Sequence, residues 1–213
     1  MNWEELNPYK VVIFANGEIP MHEVALRQLK NAEIIICCDG AITNLLKLGF
    51  EPTIIIGDGD SIPPELLEKY ADIIVQDKDI EYNDLNKALR YALQKGLNKI
   101  ALIGAFGLRE DHTLANLSIV LMFAEEKHSD IVIVGNYGVF TPIFQSIKLN
   151  SFPGQQVSIF SFDPKTYLSF SNLKYPVKQR AFQYFWEGSL NEALTDNFIV
   201  HFESGKVLIY RAF

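Results

Sequence analysis

Six short apolar runs, VVIFA (11–15), IIICC (34–38), TIIIG (53–57), DIIVQ (72–76), KIALIG (99–104) and IVIVG (131–135), alternate with stretches of helical periodicity. This alternation constrains the fold more than any other feature of the chain. Strands with no polar face must be covered on both sides, as in a parallel sheet flanked by helices. The helices are predicted near 22–30, 41–48, 64–70, 83–95 and 112–127. In the fourth, Leu85, Ala88, Leu89 and Ala92 share one face and Gly96 follows as a stop. After about residue 138 the helical period fades. Short strands such as QQVSIFSF, FIVHF and KVLIY follow, with ESGK (203–206) read as a hairpin turn between the last two. The expected fold is α/β: an amino-terminal, mainly parallel sheet with helices on both faces (1–138), then a small all-β, sandwich-like domain (139–213), with no long linker between them.

The 48% apolar content is ample for a packed core. No run reaches the roughly 18 to 20 apolar residues that cross a bilayer. The start, MNWEELNPYK, has neither the basic end nor the apolar stretch of a signal peptide. No membrane association and a cytoplasmic location are therefore expected. Cys37 and Cys38 are adjacent in a strand pattern, which suits neither a disulfide nor a metal site, so both are expected in the core. A net charge of −7 argues against a nucleic-acid backbone as partner.

Open α/β sheets bind ligands outside the carboxyl ends of their strands, and the unusual polar residues fall there. Asn16 and Gly17 follow the first strand, Asp39 and Gly40 the second, and Asp58, Gly59 and Asp60 the third. Asp77, Asp79, Glu81 and Asp84 follow the fourth, and GAFGLREDH (104–112) the fifth. Turns favour Asp, Asn and Gly for local reasons, so it is the convergence that points to a site. Asp58 and Asp60, two apart on extended chain, point the same way and repel. A hard cation such as Mg²⁺ removes that cost. An alternative reading is local: Asp60 or Ser61 caps a helix starting at Pro63 or Pro64. Gly104 and Gly107 allow close backbone approach, and Arg109 can grip phosphate oxygens with a planar fork. Asp111 or His112 would start the next helix, Asp111 serving either as its cap or in the site. There is no Walker A or dinucleotide fingerprint.

These blocks resemble the thiamine pyrophosphokinase family. CDGAITNLLKLGFEPTIIIGDGDSI (38–62) looks like that family's Asp-Gly-Gly-Ala-Asn segment and Asp-Phe-Asp-Ser motif, and GAFGLREDHTLANL (104–117) its Gly-Gly-Arg-x-Asp-His-x-Leu-Ala-Asn signature. DIEYNDLNKAL (79–89) is similar to the acidic segment ending in Thr-Asp, and NLKYPV (172–177) with GSLNEA (188–193) to parts of the carboxyl-terminal domain. The resemblance implies transfer of the pyrophosphoryl group of ATP to thiamine, giving thiamine diphosphate and AMP. It implies Asp39, Asp58, Asp60 and Asp84 as the Mg²⁺ region, and Asp58, Asp60, Arg109 and Asp111 as catalytic. Asn16, Gly17, Asp39, Gly40, Asn83, Gly104, Gly107 and Arg109 would hold ATP phosphates. Tyr175, Ser189 and Asn191 would meet thiamine, across the interface of a homodimer. The chain departs from the family pattern at Ala41, Gly59, Glu81, Asn83, Leu108, Tyr175 and Leu190. Two alternatives remain: a related diphosphokinase acting on another alcohol such as a pterin, and a metal-dependent phosphohydrolase or non-catalytic nucleotide-binding protein.

Overall fold

Parallel neighbours need a crossover connection, and a helix after each strand supplies it. That is the arrangement in the computed structural model, which describes residues 7–213. The expectation set on MNWEEL concerns residues outside those described. The chain divides into two units, Pro8–Asn136 and one containing Tyr137–Phe213.

In the first unit, β1 (Val11–Phe14), β2 (Ile34–Cys38), β3 (Ile54–Gly57), β4 (Ile74–Gln76), β5 (Lys99–Ile103) and β6 (Asp130–Val134) form a parallel array in the order β6-β5-β1-β2-β3-β4. Helices α1 (Glu23–Asn31), α2 (Ile42–Lys47), α3 (Pro64–Lys69), α4 (Asp84–Gln94) and α5 (Glu110–Glu126) connect them. Val12, Ile13, Ile36, Cys37, Ile55, Ile100 and Leu102 have essentially no exposed surface. Both cysteines are free and buried. On α4 the buried face includes Leu85, Ala88, Leu89 and Ala92, and the helix ends at Gln94 with Lys95 as its cap residue, followed by Gly96, whose φ of 76° suits only glycine without strain. The fourth strand departs from the expectation. It is shortened by a 3-10 turn at Ala71–Ile73, and Val75 and Gln76 are exposed, because β4 closes the edge of the sheet.

Chain order and strand order diverge at one place. The chain steps outward from β1 to β4 and then returns to put β5 on the other side of β1. β1 and β5 are thus the topological switch point of this array, the place at which open α/β sheets form a crevice outside the carboxyl ends of their strands.

The second unit is a sandwich of two antiparallel sheets. One contains β12 (Asn191–Glu192), β9 (Gln156–Ser161), β14 (Val207–Ala212) and β7 (Gly138–Ile143). The other contains β11 (Arg180–Ala181), β10 (Tyr167–Ser171), β13 (Asn197–His201) and β8 (Ile147–Asn150). Alternate residues face inward, so Val157, Ile159, Val207 and Ile209 meet Leu168, Phe170, Phe198 and Val200 in one core. The hairpin expected at 203–206 is not formed. β13 and β14 pair in different sheets, and the segment between them is a corner, held by Thr166 Oγ1 donating to the Ser204 carbonyl and Phe162 N–H to the Lys206 carbonyl. Among the described residues no helix is long and apolar enough to cross a membrane.

Candidate active site

The crevice between β1 and β5 is built from backbone. Ala15 N–H donates to the Ile103 carbonyl (2.8 Å), Gly17 N–H to Gly104 (2.7 Å) and Glu18 N–H to Phe106 (2.7 Å), so the two departing loops are laced together. A side chain at Gly17 would collide with the Gly104 and Phe106 carbonyls. A side chain at Gly104, where φ is +71°, would collide in the same way with the Ala15 carbonyl. Asn116 on α5, buried, donates from Nδ2 to the Ala105 carbonyl at 2.7 Å and holds the loop from below. The result is a cavity of about 280 Å³ whose lining includes Asn16, Gly17, Asn83, Asp84, Gly104, Gly107 and Arg109. A larger cavity, about 670 Å³, runs along α4 from Asn86 to Gln94 beside the carboxyl half of α5 and is lined by none of these residues.

Beside it sit the carboxylates. Asp39 directly follows β2, opening a 3-10 turn (Asp39–Ala41), and is buried. Its Oδ1 accepts the Gly59 N–H (3.1 Å) and its Oδ2 the Ser61 N–H (3.2 Å), so it shapes the loop carrying the other two. Gly57 leaves room for it, since a side chain there would strike the Asp39 carboxyl, while Gly40 packs against Ser61. Asp58 Oδ1 accepts the Asp60 N–H (3.1 Å), and Asp60 Oδ1 accepts the Ser61 hydroxyl (2.8 Å). These bonds replace the expected helix cap. α3 starts at Pro64 with Pro63 as its cap residue and no side-chain cap bond, so neither Asp60 nor Ser61 caps it. Oxygens of Asp39, Asp58 and Asp60 all lie within 4.8 Å of one another. Burial is the main force raising the Asp39 carboxyl, opposed by its backbone donors and reinforced by Asp84 and Asp58. Asp58 is held low, chiefly by the Asp60 N–H. This is a set of hard oxygen donors, which suits Mg²⁺.

Asp84 opens α4 and stands apart from that three-carboxylate set. Its pKa is raised, first by burial and also by the charges of Asp58 and Asp60, with Lys87 pulling the other way. Asn83 is the helix cap, its Oδ1 accepting the Asn86 N–H at 2.9 Å. Its side-chain oxygen is thus engaged locally, although the residue still lines the cavity. Asp77 and Asp79 are drawn to Arg90, at 2.8 and 3.7 Å, and Arg90 lies over the Tyr82 ring. These contacts organise the β4–α4 loop.

α5 starts at Glu110, one to two residues before the expected position, with Arg109 at the cap position and no side-chain cap bond. Asp111 is therefore not the cap. It takes the Arg109 fork instead, Nε at 3.1 Å and Nη2 at 2.6 Å, and this pairing holds its carboxyl down at about 2. Both side chains are exposed. Leu108, where the resembling family has glycine, sits at φ +64°, a conformation that glycine adopts without strain.

In the second unit Tyr175 is exposed. Asn191 is buried, and both polar atoms of its side chain are engaged: Oδ1 accepts the Tyr175 N–H (3.0 Å) and Nδ2 donates to the Tyr175 carbonyl (2.8 Å). Asn191 thus holds Tyr175 in place rather than presenting a free amide. Ser189 Oγ donates to the Trp186 carbonyl at 2.8 Å, and Leu190, between Ser189 and Asn191, has φ +58°.

Four residues outside the sequence expectation stand out: Lys87, Arg90, Asn116 and the exposed Trp186. The first two carry a signal only in retrospect, as long cations on the helix that bears Asp84. Asn116 stands inside the 104–117 signature as its closing Asn, without a role assigned to it from sequence, and Trp186 carries no such signal.

Comparison with known proteins supplies a family. Residues 25–134 match the model of the thiamin pyrophosphokinase catalytic domain and 138–210 that of its substrate-binding domain. Thiamin pyrophosphokinase 1 of Caenorhabditis elegans is 34% identical over 133 residues, 58% of this chain and 54% of that protein. Thiamine pyrophosphokinase 1 of rice is 26% identical over 141 residues, covering 54% and 52%. The chain thus spans about half the length of the curated relatives it matches. The fold is shared with the solved thiamine pyrophosphokinase of Bacillus subtilis (TM-score 0.82, 20% identity, 95% of this chain and 98% of that one). It is shared also with that of Candida albicans (TM-score 0.80, 16% identity, 96% and 90%). Since the catalytic-domain model alone covers more than half of the 213 residues, and the second model nearly all that follow it, this chain belongs to the thiamin pyrophosphokinase family.

Proposed function

We propose that the protein transfers the pyrophosphoryl group of ATP to the hydroxyethyl oxygen of thiamine, yielding thiamine diphosphate and AMP. The observation that carries this reading is the gathering of Asp39, Asp58 and Asp60 oxygens within 4.8 Å. It lies inside the segment matched by the family's catalytic domain. In the reaction, thiamine's oxygen forms a bond to the β-phosphorus, the bond from that phosphorus to the α,β-bridging oxygen breaks, the hydroxyl proton is released, and AMP leaves. Such a step needs alignment and charge neutralisation more than covalent help.

Asp39, Asp58 and Asp60, with Asp84 beside them, would hold Mg²⁺, which when bound neutralises polyphosphate charge. Loop amides near Gly17, Gly40, Gly104 and Gly107, with Asn16 and Asn83, would line the polyphosphate. Arg109 would exchange its fork from Asp111 to phosphate oxygens, leaving Asp111 next to the reacting groups. Tyr175 offers an aromatic face to thiamine's permanent cation, with Ser189 and Asn191 supporting it. Residues 1–138 would then serve nucleotide and metal, and 139–213 thiamine binding and dimerisation, in a two-fold homodimer with shared sites. The proposal includes a cytoplasmic location, the compartment that supplies ATP. It is tested by incubating the protein with ATP, Mg²⁺ and thiamine and following AMP. AMP that depends on added thiamine supports it, and phosphate release without an acceptor replaces it with hydrolysis.

A further inference from the structure

Lys87 is the one lysine among the described residues whose side chain is buried, at 5% exposure. It lies on α4 among Leu85, Ala88 and Leu89, positions that otherwise carry packing residues. Side chains on a helix lean toward its amino end, which here is the end bearing Asp84 and facing the carboxylates. Its Nζ stands 3.6 Å from Asp84 Oδ1, an ion-pair separation longer than a hydrogen bond. Its charge also reaches Asp58 and Asp77. Lys87 does not line the crevice cavity, whereas Asp84 does. A buried ammonium is costly to keep, and Arg90, the other cation on this helix, is engaged with Asp77 and Asp79.

We propose that Lys87 is the internal counter-cation of the carboxylate cluster, a positioning residue that weakens the cluster's hold on a bare divalent cation and favours uptake of the metal together with a polyphosphate. The two effects have opposite signs for one physical reason. The ammonium repels a free dication, but it attracts a metal–pyrophosphate complex, whose net charge is negative. Damage to the fold cannot reproduce that pattern, because it weakens both. The inference rests on the proposed metal and polyphosphate chemistry and not on thiamine as acceptor.

The test is calorimetry on the full chain with two probes, Mg²⁺ alone and inorganic pyrophosphate at saturating Mg²⁺. Lys87→Met, similar in length and uncharged, should bind Mg²⁺ alone about tenfold more tightly and magnesium pyrophosphate about tenfold more weakly. Lys87→Arg should stay within about twofold of wild type for both, because it keeps the charge. If Lys87→Met does not fold, Lys87→Gln reads the same two affinities. Shifts in the same direction for both probes, or no shift in either, overturn the proposal. A wild-type protein that binds both probes yet makes no thiamine diphosphate would overturn the acceptor assignment while leaving the role of Lys87 standing.

Discussion

The two units use side-chain polar groups differently. In the first, Asp58, Asp60, Arg109 and Asp111 are exposed at strand ends, held by short local bonds that leave acceptor or donor capacity toward solvent. In the second, Asn191 and Ser189 bond to backbone, and what remains exposed is aromatic: Tyr175 and Trp186. The difference teaches what each can recognise. A charged, glycine-lined edge is suited to polyphosphate and metal, and an aromatic face stiffened from behind is suited to an organic cation.

The strongest way to break this comparison is to remove charge from the first unit. Asp58→Asn or Asp60→Asn should lower turnover at least about a hundredfold, as expected for lost electrostatic stabilisation. Full activity of both variants with Mg²⁺ would sever the acidic loop from the chemistry.

A smaller effect is expected from Arg109→Lys, which keeps the charge and loses the planar fork. ATP use should weaken by about tenfold with thiamine kinetics little changed. Steady-state kinetics on a folded variant decide it. An unchanged KM for ATP would return the 104–112 loop to a structural role.

Much of the first unit is legible in sequence because burial on both faces writes itself as unbroken apolar runs. β4 is the exception, since an edge strand lacks one covering layer. The crevice between β1 and β5 is not legible, because it depends on strand order, a nonlocal property. In the sandwich, alternation reveals strands but not partners, which is why 203–206 reads as a hairpin and folds as a corner between sheets. Among the candidate residues, the carboxylates announce themselves by spacing. Lys87 does not, because a lysine in a helix reads as solvent-facing and only packing shows it buried. Asn83 carries a helix-cap signal that the motif resemblance overshadowed.

The mildest expected effect is a pH dependence confined to one pair. Arg109 holds Asp111 down at about 2. A depressed carboxyl contributes its stabilisation above its unfolded value, about 3.9, and loses it as pH falls toward the folded one. Carboxyl-carbon NMR should therefore show Asp111 ionised down to acid pH, and Arg109→Ala should return its midpoint to the ordinary carboxylate range. Both groups are exposed, so global stability should barely respond. An equally low midpoint in the variant would place the cause in the backbone rather than in the pair.

The division of labour itself is tested most directly by measuring equilibrium binding of magnesium–ATP and of thiamine to two variants, Asp58→Asn and Tyr175→Ala. Asp58→Asn should weaken magnesium–ATP by at least about tenfold and leave thiamine nearly unchanged, and Tyr175→Ala should do the reverse. If each variant weakened both ligands alike, or neither, the assignment of polyphosphate to one unit and acceptor to the other would be contradicted.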